Sequence, residues 1–557
     1  MSSKNRLIYL PLGGSGEIGM NMYLYGYGPR GKERFILVDA GVTFPNMDST
    51  PGVDLIMPDT AYIEARADRL DAIFITHAHE DHIGAIGHLF SRIPAPIYTR
   101  KFTGAVARTK MEEHGQDSRQ VNVIDLWPEM VSVGPFAVGF MPVAHSIPEA
   151  SGLVIDTPVG RVIHSGDFKL DPDPIVGEPH NPALLREIAG QQGVHALICD
   201  STNVFSPLPG RSEAGLRADI SALIKQASGM MVATTFASNV ARLKTLAQAG
   251  VDAGRSIVVL GRSMQKMMDY ANFAEVLHDF PPTIDLEDAR DIPRENLMLL
   301  VTGSQGEGRA ASAQLARGKY RGITLREGDT FLFSSKTIPG NETSVGGIMN
   351  AFSEMGVTVL DDSSGNVHVS GHANRPDLEE MHALMRPKMV IPNHGEHRHL
   401  REHALLAQVN GMASAIAPNG TMLDLTGNTP EVVEHIETGR IYLDGKVLIG
   451  AYDGVVLERI RMATRGTVVV SVMLENNKLL GESWAEVLGL SETPAMQMSL
   501  QESIEQAVDQ ELEKANQRRR SVDDEVESLV QKVVSRVCRD LVGKKPVCKV
   551  LINRLVD

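Results

Sequence analysis

Three histidines and an aspartate are crowded into one short segment of this chain. The segment THAHEDH follows the apolar run AIFI and places His77, His79, Asp81 and His82 within six residues. Crowded imidazoles repel one another when protonated and need hydrogen-bond partners when neutral. A divalent metal resolves this conflict, because imidazole nitrogen and carboxylate oxygen are its usual ligands. On a tight loop His77 and His79 can bind one ion while Asp81 and His82 bind another, so the segment predicts a metal centre.

Three further metal-competent residues lie at the ends of later apolar runs. They are His145 in MPVAHSIPEA, Asp167 in VIHSGDFK and His394 in IPNHGEH. A lone histidine in any of these places is more often a core or surface residue. Their positions after apolar runs make them candidate metal ligands. His164 lies in the same run as Asp167, but the two side chains are expected on opposite faces of the strand. We therefore interpret His164 as structural.

The elements that must position these residues are predicted to be strands. Between Leu7 and Asp200 the pattern is mostly β, with the runs RFILVDAG (34–41), AIFITHAH (72–79), RVIHSGD (161–167) and HALICDSTN (195–203). Each run ends in polar or glycine residues. This arrangement places the chemistry at the carboxyl ends of strands, where open sheets usually bind their ligands.

Residues 209–371 have an alternating pattern of strands and helices. Four apolar runs are each followed by Ser, Gly or Asn at the start of an expected helix: MMVATTFASN, SIVVLGRSMQ, LMLLVTGSQGE and TFLFSSKTI. Such junctions suit phosphate, because helix N-termini present free N–H groups, and ordinary helix capping explains them equally well.

The remaining third of the chain combines strands with a helical end. The β-rich pattern returns after residue 372, and further strands are expected in 441–475. From residue 498 the apolar spacing is helical, and VCKVLI (547–552) is expected to form a closing strand. The basic run Arg518–Arg520 is interpreted as a solvated loop.

The pattern HxHxDH resembles the defining motif of metallo-β-lactamase-fold hydrolases. That resemblance implies an α/β fold, an αββα sandwich, in which a water shared by two metal ions loses its proton and attacks as a bridging hydroxide. Asp39, in FILVDAG, matches the family's early aspartate, and we expect it to orient the ligand loop without binding an ion. The resemblance also implies a division of ligands: His77, His79 and His145 bind the first ion, Asp81, His82 and His394 bind the second, and Asp167 bridges the two.

The spacing between the last two ligands indicates an inserted domain. Asp167 and His394 are 227 residues apart, far more than a compact hydrolase of this fold needs. The α/β block between them resembles the domain that β-CASP nucleases insert over the active site. The expected domains are a first metallo-β-lactamase part (1–208), the inserted β-CASP α/β domain (209–371), a second metallo-β-lactamase part with linker strands (372–458) and a small C-terminal α/β domain for oligomerisation (459–557).

Two residues match further motifs of the β-CASP group. Asp200 in LICDSTN matches its acidic residue, and His372 in VHVSGHAN matches its histidine. By resemblance His372 protonates the leaving oxygen and Asp200 holds it in place, so that Asp81, Asp167, Asp200 and His372 form the catalytic set. His394 stands where this group has a histidine in enzymes that act on RNA and an apolar residue in those that act on DNA.

Over essentially its whole length the chain resembles the bacterial ribonuclease J family. The strings that carry this resemblance are LGGSGEIGMN, GVTFPNMD, FASNVARL, GRSMQKM, HVSGHA and IPNHGE. It implies a 5′→3′ exoribonuclease that prefers 5′-monophosphate RNA, with endonuclease activity, and roles in mRNA decay and rRNA maturation. It further implies two divalent ions per subunit, with zinc favoured over manganese, the single-stranded 5′ end of RNA as ligand, a homodimer or homotetramer, and partners in an RNA-degradation complex.

A preference for 5′ ends requires a phosphate pocket near the metal ions. Its candidate residues offer hydroxyls, ring nitrogens or a cation at the βα junctions and beside His372: Ser238, Arg262, Ser263, His368 and Ser370. Arg262 is equally consistent with a structural ion pair. Phe44 is a candidate to stack on a base, or else to anchor its own loop. The charges that either line an RNA path or simply face solvent are Arg309, Lys319, Arg321 and Lys336.

The bulk composition limits the alternatives. Of 557 residues 43% are hydrophobic, and the three cysteines fit a reducing compartment better than a disulfide framework. Without an apolar signal segment or membrane span, a cytoplasmic protein with no membrane partner is expected. The net charge of −15 opposes nucleic acid only weakly, because binding depends on the local field of a cleft. The alternatives are a β-CASP DNA nuclease, a small-molecule metallo-hydrolase of thioesterase or lactonase type, and an inactive scaffold.

Overall fold

Two β-sheets packed face to face form the centre of the larger unit. The computed structural model describes residues 4–492 and 498–555, divided into one unit that runs to Thr43 and then through Met57–Gly439, and a second that comprises Phe44–Ile56 and the chain from Arg440. Within the described ranges no helix is long and apolar enough to cross a membrane.

Alternating residues of the two sheets meet to form the main core. Tyr9 and Phe74 on one sheet pack with Phe140 and Ile198 on the other, all buried. The first sheet has eight strands in the spatial order Glu431–His435, Thr421–Asp424, Asn5–Gly13, Met22–Pro29, Arg34–Val38, Leu70–Phe74, Ile97–Thr99 and Val121–Val123. The second has seven, in the order Ala413–Ser414, Met389–Asn393, Ala196–Asp200, Gly160–His164, Ser151–Thr157, Phe136–Pro142 and Val131–Val133.

Helices cover the outer faces of both sheets. Alternate residues such as Leu197 and Val390 face outward from the second sheet and pack on helix residues such as Leu378 and Leu406. The helices on the outer faces of the two sheets are Ala61–Glu64, Glu80–Ile83, Ile86–Leu89, Lys101–Glu113, Pro182–Ala189, Arg375–Met385 and His397–Val409. A two-stranded ladder, Ser15–Gly16 with Gly395–Glu396, joins the first glycine-rich loop to the last ligand loop. The αββα sandwich expected from the sequence is confirmed.

A five-stranded, fully parallel sheet is inserted between the strands Ala196–Asp200 and Met389–Asn393. Its strands lie in the order Ser256–Leu260, Leu297–Val301, Met231–Thr234, Thr330–Phe333 and Thr358–Leu360. Its helices are Arg217–Gln226, Val240–Asp252, Arg262–Phe273, Ala311–Ala316 and Glu342–Glu354. Both faces of the sheet are buried, as parallel sheets require, and this explains the uninterrupted apolar runs of its strands. The expected inserted α/β domain is therefore present.

The second unit is a small α/β domain. Its strand Thr467–Glu475 pairs in parallel with Val547–Leu555 and antiparallel with Lys478–Leu479 and Trp484–Leu488. One face packs against the helices Leu500–Lys514 and Asp523–Val542. The strands Arg440–Asp444 and Val447–Gly450 form a hairpin, and Leu55–Pro58 is a further strand at the boundary of the two units.

The strands expected in 441–475 are present with a helix between them, whereas the loop expected at 518–520 is wrong. The region 441–475 contains the helix Val455–Arg465 between its strands, bounded by Gly454 and Gly466, both at positive φ. Val456, Leu457 and Ile460 have helical spacing, a periodicity that the apolar runs on either side obscured. Arg518–Arg520 belong to a short helix, Gln517–Arg520, rather than a loop, because Asn516 caps its N-terminus through the backbone N–H of Arg519.

Candidate metal centre

Asp39 fixes the loop that carries the HxHxDH residues. Its carboxylate accepts from the backbone N–H of Thr76 at 2.8 Å and from Nδ1 of His82 at 2.7 Å. Thr76 also donates its hydroxyl to Asp39, and Nδ1 of His77 lies 3.0 Å from that hydroxyl. Asp39 itself adopts a φ of 63°, a left-handed conformation that is uncommon for residues other than glycine and typical of functional sites. These contacts leave Nε2 of both histidines free to face the centre of the site.

The first cluster consists of three imidazoles. His77, His79 and His145 each offer a nitrogen, and these atoms all lie within 4.8 Å of one another. Nδ1 of His79 is 3.2 Å from Nε2 of His77 and 3.1 Å from Nε2 of His145. Burial lowers the pKa of His79 to about 4 and that of the other two well below the ordinary value. All three are therefore neutral, the form in which imidazole binds metal.

The outer nitrogen of His145 is held by the segment that carries His372. Nδ1 of His145 donates to the carbonyl oxygen of Gly371 at 2.6 Å. A Cβ atom at position 371 would stand 2.8 Å from Nδ1 and Cε1 of His145, so only glycine allows this approach. The histidine ring is thus oriented by a contact between segments 226 residues apart.

The second cluster combines carboxylates with imidazoles. Ligand atoms of Asp81, His82, Asp167 and His394 lie within 4.8 Å of one another. Asp167 is 3.2 Å from Nε2 of His82 and 2.8 Å from Nδ1 of His394. Burial acts to lower the pKa of His394, but Asp167, Asp81 and Asp200 outweigh it and raise the pKa to about 10. These carboxylates create a field that favours positive charge at this point, as a divalent cation requires.

The donor set fits metal ions on a second ground. Nε2 of His394 is buried without a hydrogen-bond partner among the described residues and lies 3.5 Å from Asp81 Oδ2. A buried, unpaired ring nitrogen beside a carboxylate is costly unless a cation binds both. The backbone of His394 has a φ of 47°, a left-handed conformation that costs free energy in residues other than glycine. The surrounding structure must therefore stabilise it.

Asn21 contacts the same cluster, and the sequence analysis did not identify it as a site residue. Its Nδ2 lies 3.2 Å from Asp81 Oδ2 and 2.9 Å from Nε2 of His82, while Tyr23 donates its hydroxyl to Oδ1. Asn21 is fully buried. Its only signal in the sequence is its place in the string LGGSGEIGMN.

Asp200 and His372 form a hydrogen-bonded pair beside the second cluster. Nδ1 of His372 is 2.8 Å from Asp200 Oδ2 and 3.9 Å from Asp167 Oδ2. Thr202 donates its backbone N–H and its hydroxyl to Asp200 Oδ1, which fixes the carboxylate. Burial acts to lower the pKa of His372, but Asp200 and Asp167 outweigh it and raise the pKa above its ordinary value.

The segment before His372 is anchored by a buried ion pair from the inserted domain. Arg242, on the helix Val240–Asp252, is fully buried and pairs with Glu213. Its Nη1 donates to the carbonyl oxygens of Ser334 at 2.8 Å and of Val367 at 3.1 Å. Ser370 accepts from Nδ2 of Asn203 at 2.8 Å and from the backbone N–H of His372 at 3.2 Å. Both ends of the segment are thereby fixed.

His368 lies among cations. Burial and then, in that order, Arg242, Lys336, Arg211 and Lys169 together lower the pKa of His368 to about 3. Arg242 and Lys169 are paired with carboxylates, whereas Arg211 and Lys336 have no ion pair within the described part of the chain. Nδ1 of His368 is buried without a hydrogen-bond partner there.

Ser335 is a further residue that the sequence analysis missed. Its hydroxyl is buried and has no hydrogen-bond partner in residues 4–492 and 498–555. Ser335 follows Ser334, whose own hydroxyl donates to the Val367 carbonyl at 2.7 Å.

The other residues considered from the sequence lie elsewhere. Ser238 is half-buried just before the helix Val240–Asp252 at the central strand, whereas Arg262 and Ser263 are exposed and start the helix after the outermost strand. Phe44 belongs to the second unit, where its ring is 66% exposed. The candidate path residues Arg309, Lys319, Arg321 and Lys336 are all exposed.

Four family models match successive parts of the chain. They describe the metallo-beta-lactamase superfamily (residues 16–212), the ribonuclease J beta-CASP domain (228–352), a Zn-dependent metallo-hydrolase RNA specificity domain (365–418) and the ribonuclease J C-terminal domain (454–555).

Relatives match over most of the chain. A ribonuclease J from Sinorhizobium meliloti is 38% identical over all of this chain and 98% of its own length. Ribonuclease J 1 of Streptococcus pyogenes is 38% identical over 84% of this chain and 83% of its own. Among solved structures, a protein of unknown function from Enterococcus faecalis matches the fold at 16% identity, with a TM-score of 0.51, over 75% of this chain and 100% of its own.

These matches agree with the geometry of the site. Metal-hydrolase and RNA-specificity models cover the residues that form both clusters and the Asp200–His372 pair. The chain therefore binds divalent metal, and its substrate is RNA. With relatives of the same name aligned along its full length, this metal-dependent ribonuclease belongs to the ribonuclease J family.

Proposed function

We propose that this ribonuclease degrades RNA from the 5′ end, prefers a 5′-monophosphate and also cuts internally. The observation that carries the proposal is the buried, unpartnered Nδ1 of His368, four residues before His372, together with the positive charges of Lys336 and Arg211 that act on it. A terminal phosphate needs such a pocket at a fixed distance from the reacting bond.

The donors suit a phosphate monoester. Nδ1 of His368 and the hydroxyl of Ser335 are buried without a partner among the described residues. Lys336 and Arg211 add positive charge that no carboxylate there pairs, and Arg211 also donates to Asn366 and to the His368 carbonyl. A phosphate would satisfy these groups together, since charge-assisted hydrogen bonds to its oxygens are the stronger kind. Because His368 is neutral, its ring contributes a hydrogen bond rather than a charge.

Charge selects the bound form of the substrate. A 5′-monophosphate places a single doubly charged phosphate group in the pocket. A 5′-triphosphate must fit two further anionic phosphate groups into the same space. A pocket with so few donors therefore favours the monophosphate.

The residues of the two clusters would hold the metal ions: His77, His79 and His145 for the first, Asp81, His82 and His394 for the second, with Asp167 between them. Ions bound there acidify water and neutralise charge on the phosphoryl oxygens. The chain's own contribution is orientation. Asp39, Thr76 and the Gly371 carbonyl direct the ring nitrogens inward, so little reorganisation is needed when charge develops.

His372 is the proton donor in this proposal. Nδ1 is hydrogen-bonded to Asp200, so Nε2 is the nitrogen from which a proton can reach the leaving oxygen. Burial acts to lower the pKa of this ring, but Asp200 and Asp167 raise it above its ordinary value, the direction that suits a general acid.

The test compares two 3′-labelled copies of one RNA, with 5′-monophosphate and 5′-triphosphate, at fixed salt. We expect the monophosphate RNA to disappear without a ladder of internal fragments, and the triphosphate RNA to resist. Lys336→Met should lower kcat/KM on the monophosphate RNA by about 10- to 100-fold, the loss expected for a contact to a charged group. Lys319→Met, an equally exposed lysine of the same domain, is the matched control. Equal internal cutting of both RNAs would agree with the metal site but would contradict the proposed phosphate pocket.

We propose zinc as the resident ion, with manganese as the alternative. Imidazole supplies five of the seven proposed ligands, and nitrogen-rich sites favour zinc over manganese. Elemental analysis of the purified enzyme, with activity after chelation and reloading, distinguishes the two.

We also propose a homodimer or homotetramer built partly through the C-terminal domain. Its uncovered sheet face exposes Trp484 (51%), Leu488 (52%) and Leu551 (49%), and Trp484 and Leu551 lie opposite Ser471 on both sides of one strand. An apolar face of this kind is typical of subunit contacts. Trp484→Glu should shift the species seen by light scattering toward the monomer, and Trp484→Phe should not.

The domain limits 1–208, 209–371, 372–458 and 459–557, a cytoplasmic location, roles in mRNA decay and rRNA maturation, and degradation-complex partners stay predictions.

A further inference from the structure

Behind the catalytic pair, a cysteine and two histidines meet in the core. Successive residues of the strand Ala196–Asp200 point to opposite faces of the sheet. Asp200 faces His372, whereas Cys199 faces the outer helices. There it meets His382, on the helix Arg375–Met385, and His403, on the helix His397–Val409. The relative exposures of Cys199, His382 and His403 are 0%, 4% and 0%.

Their donor atoms have the spacing of a metal site. One atom from each residue lies within 4.8 Å of the other two. Nε2 of His382 is 3.1 Å from Nε2 of His403. Two nitrogens bound tetrahedrally at ordinary Zn–N distances stand about 3.3 Å apart, so the observed separation is close to that of a ligand pair.

The facing ring nitrogens of this cluster leave room for a cation. Nδ1 of His403 is paired with the Ser201 hydroxyl at 2.9 Å, and the two Nε2 atoms, which face each other, can share only one hydrogen. Burial also lowers the pKa of His382 to about 4 and that of His403 well below the ordinary value, so both rings keep a free lone pair.

We propose that Cys199, His382 and His403 bind one thiophilic d10 cation, Zn²⁺ or Cu⁺, separate from the dinuclear centre. Thiolate and imidazole are the ligands that these ions share. Binding releases the thiol proton of Cys199 to solvent, and each histidine keeps its single proton on Nδ1. Nδ1–H of His403 then donates to Ser201, the outer contact that metal-bound histidines usually make.

The ion has a structural role in this proposal. The two helices begin directly after His372 and His394, and the strand ends in Asp200. A single ion would tie together the three elements that present these residues. The inference does not depend on the exonuclease proposal.

Cobalt-substituted protein provides the first test. Cobalt bound by thiolate gives a near-ultraviolet charge-transfer band that a site of histidine and carboxylate cannot give. We expect this band and a third equivalent of metal per chain in the full-length protein. The chain has only three cysteines, so the double variant Cys538→Ser/Cys548→Ser assigns the band by elimination. The band should survive in that variant and disappear in Cys199→Ser.

A parallel titration with Cu⁺ covers the second ion, and elemental analysis of the purified protein shows which one it carries. If Cys199→Ser does not fold, the double variant still decides the question. Absence of a thiolate band with both metals, or its loss in the double variant, overturns the proposal. Two metal equivalents without the band would mean that the dinuclear centre is intact and the third site does not exist.

Discussion

The buried pair Arg242–Glu213 gives the most direct test of how the inserted domain supports the site. Arg242 is fully buried and Glu213 is 5% exposed, and Nη2 and Oε2 are 2.9 Å apart. Removing one partner of such a pair leaves an uncompensated charge in the interior and typically costs about 3–5 kcal/mol. We therefore expect Glu213→Gln to lower the free energy of unfolding by that amount.

An exposed pair of the same domain provides the control. Arg217 and Asp252 are 2.7 Å apart, but their side chains are 50% and 32% exposed. Pairs of this kind contribute about 1 kcal/mol or less, so Asp252→Asn should have a small effect. Chemical denaturation followed by fluorescence or circular dichroism measures both variants. Equal losses in the two would refute the argument from burial.

The double variant Glu213→Leu/Arg242→Met separates stability from catalysis. Replacing a buried ion pair by apolar residues is often neutral for stability, so folding should largely recover. Activity should stay low, because the Val367 carbonyl loses the Arg242 donor that fixes the segment leading to His372. The loss should appear in kcat more than in KM. A double variant that cleaves RNA at the wild-type rate would show that this segment does not need Arg242.

Three further predictions concern single residues. His77→Ala should abolish cleavage while RNA binding, measured by fluorescence anisotropy, partly survives; unchanged turnover would contradict the metal assignment. His372→Gln should lower kcat about 10²- to 10⁴-fold, but far less on an activated phosphodiester whose leaving group needs no proton; equal losses on both substrates would exclude a general acid. Burial lowers the pKa of His164 to about 3, so the unfolded chain binds more protons below pH 6.5 and stability falls as the pH drops. Between pH 6.5 and 5 this residue alone should account for about 2 kcal/mol, so His164→Phe should reduce the pH dependence of the free energy of unfolding by that amount.

Much of the metal centre was predictable because its residues follow apolar runs. Asp39, His145, Asp167 and His394 each lie within a few residues of a strand end. The strands before Asp39, Asp167 and His394 have parallel neighbours, which bring their ends to one edge, whereas the strand before His145 has antiparallel neighbours. The sequence therefore indicates which residues converge, provided that the strands are recognised.

The supporting contacts were not predictable in the same way. Asn21, the Gly371 carbonyl and Arg242 act through segments that are distant in sequence and have no periodic pattern. Ser370 shows the related difficulty. It was expected at the phosphate, and its hydroxyl oxygen accepts from Asn203 and the backbone N–H of His372. Whether a serine near a site holds the ligand or the loop depends on packing that sequence spacing does not encode.

The segment 367–372 links features that the sequence presents as separate. Val367 is held by Arg242, the Gly371 carbonyl orients His145, and His372 is paired with Asp200. A shift of this one segment must therefore change both the proposed first metal cluster and the position of the proton donor. It follows that variants such as Ser334→Ala, which removes a 2.7 Å bond to Val367, should weaken metal affinity and slow proton delivery together. Across such variants, metal affinity and the dependence of the cleavage rate on the leaving group should change together. If they changed independently, the segment 367–372 would not position both the first metal cluster and His372.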